Sequence, residues 1–177
     1  MTKVPKQQSN NILLGFIILF FIGSMIFLSY RYAYFRQAEV DLVKNLGISS
    51  EVFINPDDVT QLVGSEDDLM SPEYQFIKFN LQKLRGTHSS IALAYIMREQ
   101  DGRIIFLADS EDPSSSDYSP PGQVYDEVDA QTRSVFMNKR LIVTDPETDR
   151  WGTWVSVLVP IMDKGELIGV LGLDFDA

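Results

Sequence analysis

Eight side chains in this 177-residue sequence are of types suited to holding a small polar guest: Tyr95, Asp109, Tyr118, Tyr125, Arg150, Trp154, Ser156 and Asp174. Asp174 stands out because it interrupts the apolar run Leu167-Ile168-Gly169-Val170-Leu171-Gly172-Leu173-Asp174-Phe175. A carboxylate in a segment destined for burial is costly unless something pairs with it. If the run is a strand, Val170, Gly172 and Asp174 alternate onto one face, and Gly172 leaves space beside the carboxylate. Trp154 and Ser156 share a face of the preceding apolar run. Tyr95, between Leu93 and Met97, and Asp109, at the end of its own run, would complete a pocket with Tyr118 and Tyr125. Two alternatives stay open: Asp174 faces a guest, or it caps loop amides or pairs with Arg150 while the aromatics are ordinary core.

Catalytic chemistry finds little to work with. There is one histidine, His88, and no cysteine. His88 stands in Gly86-Thr87-His88-Ser89-Ser90, a loop setting in which histidine is more often solvated than catalytic. The glycines 165, 169 and 172 serve a turn and close packing rather than a phosphate-binding loop. Asp109, Glu111, Asp112 and Asp117 lack the ligand alternation and fixed glycine of a calcium loop, and Asp145, Glu147 and Asp149 bracket a proline turn. The expectation is a non-enzyme with no cofactor and no metal. From Arg31 onward 13 basic residues face 25 acidic ones, so a phosphate backbone would be repelled and nucleic acid is not a partner.

The elements that must position these residues follow from periodicity. Residues 1–11 form a polar tail with Lys3 and Lys6. Residues 12–30 are apolar apart from Ser24 and Ser29, and about 19 residues at about 1.5 Å each cross a hydrocarbon core of about 30 Å. Tyr30, Tyr32 and Tyr34 follow in the manner of an interfacial belt, where a cleavage site would need small residues. Lys3 and Lys6 balance Arg31 and Arg36, so flanking charge does not set the orientation. Residues 31–177 read as one domain. Phe35, Ala38, Leu42 and Leu46 give a helical stripe, which Gly47 is predicted to stop. Asn55-Pro56 and Ser71-Pro72 open helices, the second lined by Tyr74, Ile77, Leu81 and Leu84 and ending near Arg85-Gly86. Ile91–Arg98 and Arg103–Asp109 flank an Asp101-Gly102 hairpin turn. Val124–Asn138 is predicted as a helix, Leu141–Thr144 as a short strand, and Asp145–Asp149 as a turn. Trp154–Ile161 and Leu167–Phe175, joined by Asp163-Lys164-Gly165-Glu166, form the central hairpin of a sheet covered on both faces.

The segments Asp149-Arg150-Trp151-Gly152-Thr153-Trp154-Val155-Ser156, Val159-Pro160-Ile161 and Gly169-Val170-Leu171-Gly172-Leu173-Asp174-Phe175-Asp176-Ala177 resemble the C-terminal hairpin of a PAS-like Cache (PDC) domain. The resemblance continues through Asp67-Asp68-Leu69, Ser71-Pro72-Glu73-Tyr74, Asp109-Ser110-Glu111 and Tyr118-Ser119-Pro120-Pro121-Gly122-Gln123. It implies an α+β fold: an N-terminal transmembrane helix, then a mostly antiparallel five-stranded sheet flanked by helices. It also implies the extracytoplasmic sensing module of a bacterial membrane receptor of the histidine kinase, diguanylate cyclase or chemoreceptor type. The N-terminus would be cytoplasmic, and the domain would lie on the periplasmic or extracellular side of the bacterial inner membrane. Relatives continue into a second membrane helix and an output domain, so the 177 residues are expected to be an input portion.

Amine-binding relatives place an acid at this end of the last strand, whereas the Tyr, Arg and Trp-Tyr grouping of amino-acid-binding Cache domains has no counterpart around Leu81 to Tyr95. The acids favour a cationic or amine-bearing small molecule over a carboxylate. The first helix of relatives often lies at a dimer contact, so a homodimer is expected. The competing reading is a membrane-anchored dimerisation or protein-interaction module without a small ligand.

Overall fold

The computed structural model describes residues 6–50 and 54–176. Part of the expected tail, residues 1–5 with Lys3, lies outside the described residues. The chain divides into two compact units, Met1–Glu39 and Val40–Ala177. Helix α1, Lys6–Ser50, begins in the first unit and ends in the second. Its stretch Leu13–Ser49 is long and apolar enough, by length and composition, to cross a membrane. The large apolar side chains from Leu13 to Leu28 are all exposed, as a lipid-facing helix would present them.

The predicted stop at Gly47 is overturned, because α1 runs three residues further. A Cβ at Gly47 would meet Val159 Cγ2 at 3.0 Å and Leu173 Cδ1 at 3.4 Å. The glycine therefore lets the end of the helix lie close on the sheet instead of terminating it. Val40 and Leu46 pack on the core there, while Leu42 of the predicted stripe stays exposed.

In the second unit, α2 (Pro56–Gln61) and α3 (Pro72–Thr87) begin as predicted. The Asn55 side chain accepts from the Asp57 amide, and the Ser71 hydroxyl accepts from the Tyr74 amide. A 3₁₀ turn, Glu66–Met70, lies between them and carries a capping box built on Ser65 and Asp68. Strands β1 (Leu93–Gln100) and β2 (Arg103–Asp109) form the first hairpin, with Asp101 at φ 51° and Gly102 at φ 74°. These left-handed angles are what a tight hairpin turn requires. After α4 (Ala130–Asn138) come the two-residue strands β3 (Ile142–Val143) and β4 (Glu147–Thr148), then β5 (Thr153–Asp163) and β6 (Glu166–Asp176). The pairings are antiparallel in the order β2-β1-β6-β5-β3, with β4 also pairing β5. The five-strand path matches the expected α+β architecture, and β4 is an addition within the segment read as a plain turn.

The helix predicted from Val124 starts only at Ala130. The backbone before it bonds elsewhere: Phe106 donates to the Gln123 carbonyl and Tyr125 donates to the Ile104 carbonyl, both at 2.9 Å. Residues 122–125 thus line the free edge of β2. Asp129 then caps α4 by accepting from the Gln131 and Thr132 amides.

The sheet is covered on both faces, as its apolar central strands require. On one face α2 and α3 close over Val157, Val159, Leu171, Leu173 and Phe175. On the other, Val135 and Phe136 of α4 pack with Met97, Phe106, Leu158 and Val170. Arg98 joins the sheet to the short α2: its guanidinium donates to the carbonyls of Leu62 (2.6 Å) and Ile168 (2.9 Å), and to that of Val59.

Lys78 of α3 is buried. Its ammonium donates to the Glu111 carbonyl at 2.6 Å, the Asp109 carbonyl at 3.1 Å and Asp109 Oδ1 at 3.2 Å. Replacing one member of such a pair strands the other without water. Lys78→Met is expected to cost about 3–5 kcal/mol in urea unfolding, with most of the loss recovered in Lys78→Met/Asp109→Asn.

Candidate functional site

The register of the central strands sets the site. Tyr95 on β1 pairs with Gly172 on β6, and Asp174 on β6 pairs with Ser156 on β5. A Cβ at Gly172 would overlap the Tyr95 ring. The space anticipated beside Asp174 is thus filled by that ring, which lies across β6. Its hydroxyl donates to Asp174 Oδ1 at 3.0 Å. Ser156, paired with Asp174 across the strands, lines the same hollow as Asp174 and Tyr95. Asp174 is 4% exposed, with its neighbours Leu173 and Phe175 facing the opposite core.

Aromatic rings wall this side. Phe106 meets Tyr95 edge-on at 5.6 Å and Trp151 edge-on at 5.7 Å, and it lies tilted against Tyr125 at 5.6 Å. Asp149 ties the wall together. Its Oδ2 accepts from the Tyr125 hydroxyl at 3.2 Å, and its Oδ1 accepts from the Trp151 amide (2.9 Å), the Gly152 amide (3.1 Å) and Trp154 Nε1 (3.2 Å).

Two small hollows flank Asp174. One, about 30 Å³, is lined by Tyr95, Tyr125, Asp149, Trp154, Ser156 and Asp174 among others, with Glu127, Asp129 and Glu147 around it. The second, about 20 Å³, lies between Tyr95, Phe106, Asp109, Asp149, Trp151 and Asp174. Among the described residues, no lysine or arginine lines either one.

Six of the eight sequence-predicted residues therefore border these hollows: Tyr95, Asp109, Tyr125, Trp154, Ser156 and Asp174. Tyr118 does not. It lies against α3, hydrogen-bonded to the Tyr74 hydroxyl at 3.0 Å, with the Lys78 ammonium 4.7 Å from its ring centre, beside an open groove of about 520 Å³. Arg150 does not pair with Asp174 either. Its Nε donates to Glu127 Oε1 at 2.9 Å, its amide donates to Oε2 at 2.8 Å, and its guanidinium stacks on Trp151. Asp109 touches both sides: it edges the smaller hollow while Lys78 and the Ser119 amide, at 2.6 Å, hold its carboxylate. His88 accepts from the Ser90 amide at 3.2 Å. Asp149 was missed because it closes the segment that reads as a solvated turn, and Trp151 because it lies between that turn and the strand predicted from Trp154. The available signal was an aspartate followed by Trp and Gly, whose amides such a side chain commonly captures.

Burial is the chief influence on Asp174, and it raises the carboxyl from its ordinary 3.8 to about 7; the hydrogen bonds from Ser156 and Tyr95 oppose it, and the charge of Asp149 adds to it. Burial likewise raises Asp109, against the opposing pull of the Ser119 amide and Lys78. The Tyr95 hydroxyl is pushed well above its usual range, first by burial and then by Asp174.

No family model matches this chain, and no curated protein does. Among solved structures, it is similar to the sensory domain of the Campylobacter jejuni chemoreceptor Tlp3, at 18% identity and TM-score 0.42, over 82% of this chain and 62% of that one. It is similar to the extracellular domain of the histidine kinase mmHK1S-Z2, at 14% identity and TM-score 0.47, over 81% and 60%. It is also similar to a type II free methionine-R-sulfoxide reductase from Thermoplasma acidophilum, at 14% identity and TM-score 0.45, over 58% and 74%. The chain spans about three-fifths of the length of the two sensory domains.

Because the folded-state value of Asp174 lies above the unfolded one, its proton stabilises the fold. That contribution is complete below about pH 3.8 and is lost as pH rises to about 7. At about 1.4 kcal/mol per pH unit the loss is on the order of 4 kcal/mol. Asp174→Asn is expected to remove that slope from a pH series of thermal unfolding. An unchanged slope would place the titrating group elsewhere.

Proposed function

We propose that this chain is the membrane-anchored, ligand-sensing input module of a bacterial signal-transduction receptor. Residues 1–11 lie on the cytoplasmic side, 12–30 span the inner membrane, and 31–177 form the sensing domain on the periplasmic or extracellular side. The guest is a small cation or amine held at Asp174. The observation that carries this reading is the enclosed Asp174 carboxyl, walled by Tyr95, Trp154 and Tyr125, with Asp149 nearby and no basic side chain lining its hollows. Aromatic faces and carboxylates attract an ammonium group. A ligand carboxylate would meet only acids and hydroxyls there. Arg150 and Lys78 are engaged by Glu127 and Asp109.

The enclosed space suits the head of such a ligand. About 30 Å³ exceeds the roughly 10–15 Å³ that one water needs, so an ammonium group fits as the site stands. A larger substituent would favour a state in which the segments 124–129 and 145–152 have parted. The same site supports binding better than catalysis, since it offers hydroxyls and carboxyls but neither histidine nor cysteine beside them.

A homodimer is part of this reading. Leu46, Ile54 and Leu84 line an apolar groove of about 500 Å³, and Phe76 and Phe79 of α3 are half exposed next to the buried face of that helix. Sedimentation of the detergent-solubilised chain is expected to show a concentration-dependent dimer that Leu84→Glu weakens.

The ligand class is tested by thermal shift of the full chain with methylammonium, tetramethylammonium, putrescine and L-valine. Amines at about a hundred times their dissociation constant are expected to stabilise by about 2.7 kcal/mol. Asp174→Asn should abolish the effect, and L-valine should give none. Stabilisation by carboxylate-bearing compounds alone would sink the reading.

A further inference from the structure

Asp174 is 4% exposed, and the Tyr95 hydroxyl donates to its Oδ1 at 3.0 Å. Ser156, paired with Asp174 across the strands, lines the same hollow. A carboxyl enclosed among hydroxyls and apolar rings is costly to ionise unless a cation accompanies it. Held neutral by its own proton it escapes that cost and can itself donate a hydrogen bond. When it is ionised, a buried anion is left without a cation.

The other groups facing Asp174 do not supply that cation. From the segment before β5 comes Asp149, and from the segment before α4 come Tyr125, Glu127 and Asp129. Glu147 of β4 adds another acid, while Asp109 and Asp117 edge the smaller hollow. Lys78 lies beyond Asp109 and Arg150 is turned to Glu127.

We propose that the site exchanges a proton for its guest: Asp174 releases its proton to solvent when an organic monocation enters, so that the domain reads the cation against ambient pH. This rests on the cation reading of the site given above. In the empty domain the proton keeps the buried carboxyl neutral. In the occupied one the ammonium group replaces it as the neutralising charge, and the charge of the site is unchanged.

The test is calorimetry of the full chain in detergent micelles with methylammonium as the probe, in buffers of differing ionisation enthalpy. Below pH 7 close to one proton is expected to be released per cation bound, falling toward none well above it. Apparent affinity should tighten about tenfold per pH unit over the lower range. A carbon-13 titration of the Asp174 carboxyl keeps the question answerable without any variant, and its midpoint should fall by at least a unit when methylammonium is saturating. Asp174→Asn should neither bind methylammonium nor release a proton. Methylammonium bound by the wild type with no proton released overturns the exchange and leaves the cation reading standing. No binding at any pH, with Asp174 still titrating, removes the cation reading and the exchange with it.

Discussion

Strand β6 must satisfy two environments with one alternating sequence. Leu171, Leu173 and Phe175 are sealed under the helices of one layer, so Val170, Gly172 and Asp174 are forced to the other face. That face cannot be left to solvent, because the strand is central, with β1 on one side and β5 on the other. The missing side chain at Gly172 is filled from the neighbouring strand by Tyr95, and the hydroxyl of that ring reaches the one polar position remaining. Tyr95 then sets Phe106, which sets Tyr125 and Trp151, and Asp149 gathers the segment that carries Trp151 and Trp154. A single glycine in register with a tyrosine thus organises the whole covered face.

Buried carboxylates elsewhere in the domain show what a purely structural acid looks like. Asp68 accepts from the Val63 amide at 2.9 Å and the Gly64 amide at 2.7 Å, fastening the turn before α3. Asp109 has the Lys78 ammonium on one oxygen and the Ser119 amide on the other. Both are supplied with backbone amides or a cation, the usual terms on which charge is tolerated inside. Asp174 has instead the Tyr95 hydroxyl, a group that can accept as readily as donate. That difference in partner chemistry separates it from the other two.

Much of this architecture was legible in the residues. The hairpin around Asp101-Gly102, the Pro-led helix starts and the two long terminal strands all follow local rules of turn and cap, and all are present. Alternation along β5 and β6 also put Trp154 and Ser156 on one face, and Val170, Gly172 and Asp174 on one face. What local rules cannot supply is which distant segment fills a gap. The space at Gly172 was anticipated, but its occupant depended on β1 lying beside β6. Tyr118 was assigned to the wrong side because the segment after β2 crosses to α3 and docks on Tyr74, a choice made by tertiary packing. The helix expected from Val124 lost its first turns to the open edge of β2, where backbone pairing outweighed helical propensity. Gly47 carried a stop signal that the sheet beneath it converted into a packing requirement.

The guanidinium of Arg98 couples elements that would otherwise behave separately. Six residues are too few for α2 to persist as an independent helix; the Val59 carbonyl accepts from the Leu62 amide at 3.2 Å, and the Leu62 carbonyl lies beyond the helix end. By gathering these two together with the Ile168 carbonyl of β6, Arg98 makes α2 an outrigger of the strand that carries Asp174. Any sliding or tilting of β6 along its own axis is therefore carried mechanically to α2 on the opposite layer, without a separate hinge.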